Sequence, residues 1–396
     1  MLNWIAQIIS VTRFNLLSLP QRLGSSTAAV FGIAGVVAVM VAVLSIAQGI
    51  MKTMDNSVDE DRVIVLRSGA NTEMMSGLSG EDTDLVAEAP GLVRDEDGVL
   101  ASPELFVVIN LPMRGTGTDA NVPMRGVQPQ AFKIRDDFQI VQGRMFEPGL
   151  NEVIVGSGAL REFEGLEVGS TIEVAREYWP VVGVFESGGS LAETEIWVDA
   201  AVLQQAYRRG NSFQAVYARL TSSDAFQQFK DALTADPRLN VKPMRESEYY
   251  SSQSSTVTGL INGLGTLIAV IMGLGAIFGA LNTMYTAVAS RSREIATLRA
   301  LGFRSSPVVI SVLAESLLLA FVGGAIGAGL AWLFFDGYRA ATLNWESFSQ
   351  IAFSFAVTPQ LLMLGIFFAM FIGLLGGLLP AIRAARQPVA TALREL

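Results

Sequence analysis

Four apolar stretches, beginning near Thr27, Val257, Pro307 and Phe355, each exceed the ~20 helical residues needed to cross a bilayer core. The first runs from Thr27 to Ile50 without a charged residue, behind a polar segment, Pro20 to Ser26, that sets Arg22 just outside the membrane. Ser26 or Thr27 is expected to cap it. Ser45-Ile-Ala47 ahead of Gln48 faintly resembles a signal-peptidase site, but the run is too long for a cleaved signal, so it reads as a retained anchor. The second stretch, Val257 to Ser290, would make one helix of about 50 Å against a core of ~30 Å, so it must tilt or project into water. The third spans Pro307 to Phe335 and the fourth Phe355 to Ile382, with Asp336 to Ser354 as a short polar and aromatic link. Ahead of them, Trp4, Ile5, Ile8, Ile9 and Leu16 recur at helical spacing. They predict an amphipathic helix within residues 1–26, lying in the inner interface and able to brace a neighbouring subunit or the third span; a frayed lead-in to the first span is the plainer alternative.

Residues 51–256 form an insertion with a different rhythm. Arg62 to Arg67 and Glu104 to Asn110 read as strands, Ser79 to Ala89 as a short acidic-capped helix, and Pro90-Gly91 as the break after it. From Gly143 to Val198 short strands interrupted by glycine follow one another: Glu152 to Gly156, Ser170 to Val174, Pro180 to Phe185 and Thr194 to Val198. Asp199 to Tyr207 and Ser223 to Ala235 then read as helices around a strand, Ala215 to Leu220. The expected fold is a membrane α-helical protein of four transmembrane helices. A mixed α+β extracytoplasmic domain lies between the first and second, an α/β lobe with a β-rich lobe (about 143–198) nested inside it. Leu111 to Pro123, polar and glycine-rich, reads as a flexible loop.

Composition agrees, since 51% of the residues are hydrophobic. Charge sets the orientation. The N-terminal segment, the 291–306 loop and the C-terminal tail hold nine basic residues against two acidic ones, Glu294 and Glu395. The insertion holds 32 of the 37 acidic residues but only 18 of the 28 basic ones, a surplus of 14 negative charges. Termini and loop are therefore expected in the cytoplasm and the insertion outside, where its charge favours solubility. Its sign speaks against nucleic acid as a partner. With no cysteine and no histidine, the chain lacks thiolate and imidazole metal ligands and every Cys/His or Ser/His/Asp nucleophile arrangement, so no catalytic, metal or cofactor site is expected.

Three features carry candidate function. Small residues recur at four-residue spacing within the spans, Gly259 and Gly263, Gly275 and Gly279, Gly323 and Gly327, Gly373 and Gly377, and predict close helix packing within the bundle or against a second copy. Glu315, two turns into the third span, is an intramembrane carboxylate. Its partner is expected to be Asn282, Ser311 or an arginine of the loop; a proton relay would need further ionisable groups that the spans do not offer. Residues 290–303 predict a basic amphipathic helix: Glu294 can meet Arg291, while Ile295, Leu298 and Leu301 share a side and Gly302 ends the helix. Such a helix lies on anionic lipid or offers Arg291, Arg293, Arg299 and its apolar ridge to a cytoplasmic partner, and the residues alone leave both open.

The loop from Arg291 to Phe303, the third-span opening Leu313-Ala-Glu-Ser-Leu317 with Gly323-Gly324, and the ending from Pro380 to Arg386 on to Arg394 resemble the permeases of MacB/FtsX-type ABC transporters, also called type VII or mechanotransmission transporters. Gln142 to Phe146, Asn151 to Val155, Val168-Gly169 and Val181 to Val184 are similar to that family's nested lobe. The resemblance implies a bacterial inner-membrane protein, a pair of permease subunits on two ATP-binding subunits, and a periplasmic adaptor as a further partner. It implies that the 291–303 helix docks on the ATPase, with Arg291, Arg293, Glu294, Ile295, Leu298, Arg299 and Leu301 in the coupling and Glu315 supporting the joint. The chain has no Gly-x-x-x-x-Gly-Lys-Ser/Thr loop and shows no fused amino-terminal ATPase, so ATP and Mg are expected in a partner subunit. Export or extraction of a drug, peptide, lipid or lipoprotein is the activity implied; a regulator of cell-wall-remodelling enzymes is the alternative.

Overall fold

The computed structural model describes residues 2–17, 23–55, 59–290, 292–343 and 350–386. Four helices in it are long and apolar enough to cross a membrane: Ser26–Thr53, Gly259–Ala289, Ser305–Phe335 and Pro359–Arg386. Two compact units result, one of Met1–Gly49, Gly259–Tyr338 and Phe355–Leu396, the other of Ile50–Thr258 and Arg339–Ser354.

Within the span unit the first helix starts earlier than expected, running from Leu23 to Asp55. Thr27 therefore lies inside the helix, and its hydroxyl donates to the Gly24 carbonyl at 3.1 Å, a bond made inside the first turns. The second span is the lower part of a helix that runs from Glu246 to Ala289, 44 residues, or about 66 Å. It begins well ahead of Val257 because Glu246 and Glu248 suit the positive end of a helix and nothing in the polar stretch after them breaks one. Val37, Met40 and Val41 of the first span, Ala269 of the second, Ala320 and Ala328 of the third and Ala369 and Ile372 of the fourth share one core. The Leu2–Leu17 helix lies along the third span: the Trp4 indole donates to Ser306 Oγ at 3.0 Å, and Ser311 Oγ donates to the Val11 carbonyl at 3.4 Å. It braces the third span of its own chain.

The inserted unit is organised by one ten-stranded sheet. Its strands are β1 (Arg62–Arg67), β2 (Ala101–Pro112), β3 (Asp119–Val127), β4 (Phe138–Gly143), β5 (Val153–Gly156), β6 (Thr171–Val174), β7 (Glu177–Ser187), β8 (Ile196–Asp199), β9 (Ala215–Arg219) and β10 (Val241–Arg245). The order is β10-β1-β9-β2-β3-β8-β5-β7-β4, with β6 paired to β7. β1 is covered on both faces, Val63 and Val65 in one core and Ile64 and Leu66 in another. Helix Gly80–Glu88 carries a capping box between Ser79 and Asp82, and Asp199 caps helix Ala200–Ala206.

Two expectations change here. Leu111 to Pro123 is no flexible loop: most of it is the β2–β3 hairpin, with Leu111 opposite Ala120 and Pro112 opposite Asp119. Ile109, Leu111, Val122 and Met124 fill the core of the β-rich lobe, and the glycines serve only the tip, where Gly115 and Gly117 have φ of +83° and +63°. The same hairpin carries the sheet from β9 to β8, so the β-rich lobe includes β3, β4 and half of β2 besides 143–198. The Asp336 to Ser354 link is likewise more than a link. Arg339–Leu343 and Gln350–Ser354 pair as an antiparallel hairpin that belongs to the inserted unit.

Candidate functional site

The long helix ends in a built site at each extremity. At its outer end Glu246, Tyr249 and Tyr250 sit on a cluster of buried charges. Arg125, 2% exposed on β3, donates to both oxygens of Glu195 (2.7 and 2.8 Å), to both of Glu73 (2.6 and 3.0 Å) and to Glu104 at 3.0 Å. Arg135 grips Glu104 with two bonds of 2.9 and 3.1 Å and lies over the rings of Trp197 and Tyr217, each 4.8 Å away. Arg62 Nε stands 2.8 Å from Glu246 Oε2. The Glu73 amide donates to the Tyr249 hydroxyl at 3.3 Å. Burial pushes the Glu246 carboxyl up to about 7 against the pull of Arg62, and raises Glu73 against the pull of Arg125. Burial also works against the Arg125 charge, but Glu195 and Glu73 outweigh it and raise its pKa well above the ordinary guanidinium value. Stripping one partner from such a set strands a buried charge, at a cost of about 3–5 kcal/mol.

At the inner end, helix Ser292–Ala300 follows directly. It stops in a Schellman turn: the Phe303 amide donates to the Leu298 carbonyl and the Gly302 amide to that of Arg299, both at 3.1 Å, with Gly302 at φ +97°. Ile295 is 6% exposed and packs with Val288, Val308, Val312, Ala381 and Ala384 of the second, third and fourth spans. It therefore clamps the short helix to its own bundle and is not offered to a partner. Leu298 and Arg299 are half-buried, Arg293 and Glu294 are exposed, and Leu301 is 73% exposed. The ridge expected along Ile295, Leu298 and Leu301 is thus split between an inward anchor and an outward knob. Arg291, and with it its pair with Glu294, lies outside the described residues. Beside the joint, a recess of about 300 Å³ is lined by Tyr285, Thr286, Val288, Ala289 and Arg383, whose guanidinium covers the Tyr285 ring at 5.4 Å.

Glu315 is buried in the third span, 2% exposed. Asn282 turns away from the bundle core. On the second span Ala280, Met284, Ala287 and Val288 turn inward, and Asn282, about 200° around the helix from Ala280, is exposed. The glycine pairs divide as well. A Cβ on Gly323 would meet the Val30 carbonyl at 2.9 Å, one on Gly327 would strike that of Ala34, and Gly373 and Gly377 face Ala320 and Ser316. Gly259, Gly263, Gly275 and Gly279 meet nothing.

The charge cluster was not anticipated from the sequence, yet it left a signal. Glu104 and Arg125 fall within buried runs of their strands, and a charge in a strand buried on both faces needs a buried partner.

Comparison with known proteins fits these two ends. A profile described as the MacB-like periplasmic core domain matches residues 26–236, and one described as the FtsX-like permease C-terminal matches 266–389. A macrolide export ATP-binding/permease protein MacB 1/2 of Paracoccus denitrificans is 25% identical over 99% of this chain and 59% of its own length. MacB of a Shewanella species is 22% identical over 84% of this chain and 56% of its own. The uncharacterized ABC transporter permease YknZ of Bacillus subtilis is 33% identical over 35% of this chain and 31% of its own. The chain spans little more than half the length of the MacB relatives it matches. Among solved structures, the extracellular domain of YknZ from Gram-positive bacteria aligns over 46% of this chain and all of that domain, with TM-score 0.36 and 14% identity. The periplasmic region of MacB from Actinobacillus actinomycetemcomitans aligns over 51% and 96%, with TM-score 0.36 and 12% identity. With a core-domain profile over more than half its residues and the FtsX-like profile over most of the rest, the chain belongs to the MacB/FtsX-type family of ABC transporter permeases.

Proposed function

We propose that this chain is the membrane-embedded permease subunit that converts ATP-driven motion of separate cytoplasmic ATP-binding subunits into motion of the inserted domain outside the bacterial inner membrane, with both termini in the cytoplasm. The observation that carries the reading is the unbroken Glu246–Ala289 helix, seated in the charge cluster at one end and continued by the 292–300 helix at the other. A continuous helix transmits displacement along its axis, because its backbone hydrogen bonds resist stretching, whereas a jointed connection would absorb it. Exposed Arg293, Glu294 and Leu301, with half-buried Leu298 and Arg299, are the contact to the ATPase, and Ile295 couples that contact to the bundle. Two such permeases would associate, and the outer domains would export or extract a drug, peptide, lipid or lipoprotein, with a periplasmic adaptor completing the path. The macrolide-export relatives support transport over control of wall-remodelling enzymes. ATP and Mg bind in the partner subunits; this chain contributes no catalytic group.

The test is Leu298→Asp with Leu301→Asp in the assembled complex. Substrate-stimulated ATP hydrolysis and transport should fall to background while the variant still inserts and elutes as folded protein. Wild-type coupling in that variant would remove the assignment.

A further inference from the structure

Within the inserted unit a cavity of about 130 Å³ is lined by Arg161, Arg339, Ser190, Ser354, Glu162 and Glu193, with Thr53 and Phe353 at its edge. Two guanidinium groups share it with the carboxylates of Glu162 and Glu193. Arg161, on the last turn of helix Ser157–Glu162, donates to Ser157 Oγ at 3.1 Å and stays 3.9 Å from Glu193. The exposed Arg339 side chain, at the start of the hairpin, makes no hydrogen bond or ion pair with the described residues. Burial and then the neighbouring Arg339 charge depress the Arg161 pKa. Glu193 balances one of the two charges from 3.9 Å, but its lone pairs are spent on the adjacent turn. Its Oε1 accepts the amides of Ser187 (2.9 Å) and Gly189 (2.7 Å), and its Oε2 accepts the Ser157 hydroxyl at 2.9 Å. Ser190, only 8% exposed, has a buried hydroxyl with no partner among the described residues.

A cavity with two forked cations and an idle hydroxyl has donors in excess of acceptors. The lining charges balance, two guanidinium groups against Glu162 and Glu193, but guanidinium N–H donors are left without acceptors, so the complement is a group rich in acceptor oxygens that guanidinium forks match, which describes a phosphate ester. Two of the cavity's lining residues are close in sequence to span ends. Thr53 is the last residue of the first span, and Arg339 follows Phe335, the end of the third, by four residues, a reach of at most about 14 Å.

We propose that this cavity binds a phosphate ester group, with Arg161 and Arg339 clamping its oxygens and Ser190 donating to it. Lipid headgroups and soluble phosphate esters share that chemistry, and the experiment separates them. The site does not depend on the transport reading, since binding is measured without the ATPase.

The full chain in a non-ionic detergent is titrated with dihexanoyl phosphatidylglycerol, with glycerol 3-phosphate and with dihexanoylglycerol, which lacks phosphate, and occupancy is read by native mass spectrometry. The phosphatidylglycerol should bind at least about tenfold more tightly than the phosphate-free glyceride, and Arg161→Gln with Arg339→Gln should erase that difference. Binding of phosphatidylglycerol alone identifies lipid as the source; equal binding of glycerol 3-phosphate identifies a soluble ester. If the double glutamine variant loses its folded elution profile, Arg161→Lys with Arg339→Lys and, separately, Ser190→Val take its place, and each should weaken binding severalfold. Equal affinity for the phosphate-free glyceride, or unchanged affinity in the folded variants, overturns the proposal.

Discussion

The second span and the third carry the same small-residue spacing and use it in opposite ways. In the third span Gly323 and Gly327 admit the backbone of the first span, while Gly373 and Gly377 of the fourth admit Ala320 and Ser316. In the second span, Gly265 and Gly273 touch Val43 and Phe368, but Gly259, Gly263, Gly275 and Gly279 open onto empty space. Leu264, Leu267, Ile271, Leu274 and Phe278 are all more than half exposed around them. Small residues let helix backbones approach, yet the spacing does not say whose backbone approaches. The third and fourth spans are the more enclosed, and the second is the least. The second is held on one side only within the bundle and is gripped tightly at its outer end by the charge cluster.

The sharpest way to break the comparison is Gly327→Leu. Its side chain would strike the Ala34 carbonyl of the first span, a backbone atom that cannot yield without separating two helices. Overpacking of this kind costs about 3 kcal/mol or more, and the variant should appear as aggregate in size-exclusion chromatography. A folded elution peak would mean that the third span is no more fixed than the second.

The next largest effect lies at the outer grip. Glu246 has a folded pKa of about 7 against an ordinary 4.5, so the folded chain binds this proton more tightly than the unfolded chain. Its contribution is therefore fully favourable below about 4.5 and is lost as pH rises through about 7, a loss of order 2–3 kcal/mol. Glu73, also raised by burial, adds in the same direction. Melting temperature in detergent should fall between pH 5 and pH 8, and Glu246→Gln should flatten much of that slope. An identical slope in the variant would show that the helix end is not seated where the cluster places it.

Much of this architecture was readable in advance, and what escaped has physical causes. Apolar length alone marks the spans, because a bilayer tolerates few other sequences. The β1 strand, the helix capped by Ser79 and the stop at Gly302 follow from local pattern. The β2–β3 hairpin did not, since the polar residues of Leu111 to Pro123 mask the inward Leu111 and Val122, whose cross-strand partners are Ala120 and Ile109. Ile295 looked like part of a docking ridge because helical spacing specifies a face without specifying what covers it. Asn282 and Glu315 looked like partners because both are polar in apolar helices, but the phase of the second span turns Asn282 outward. The charge cluster draws on Glu73, Glu104 of β2, Arg125 of β3, Glu195 just ahead of β8 and the start of the long helix, and no local window contains it.

The smallest predicted effect tests what the open glycines are for. Gly275→Leu with Gly279→Leu adds bulk where the chain itself has room, so the variant should insert, fold and melt within about 1 kcal/mol of wild type, helped by the better helix propensity of leucine. What should change is self-association. If the bare face receives the same face of a second permease, close approach requires these positions to remain small, and the dimer measured by cross-linking or analytical ultracentrifugation in detergent should weaken by about tenfold. Leu267→Ala, on the same exposed side but widening the gap instead of closing it, should weaken association less. A dimer unaffected by the leucine pair would leave the open face to lipid, and the contrast between the spans would then reflect only how much of each helix the bilayer surrounds.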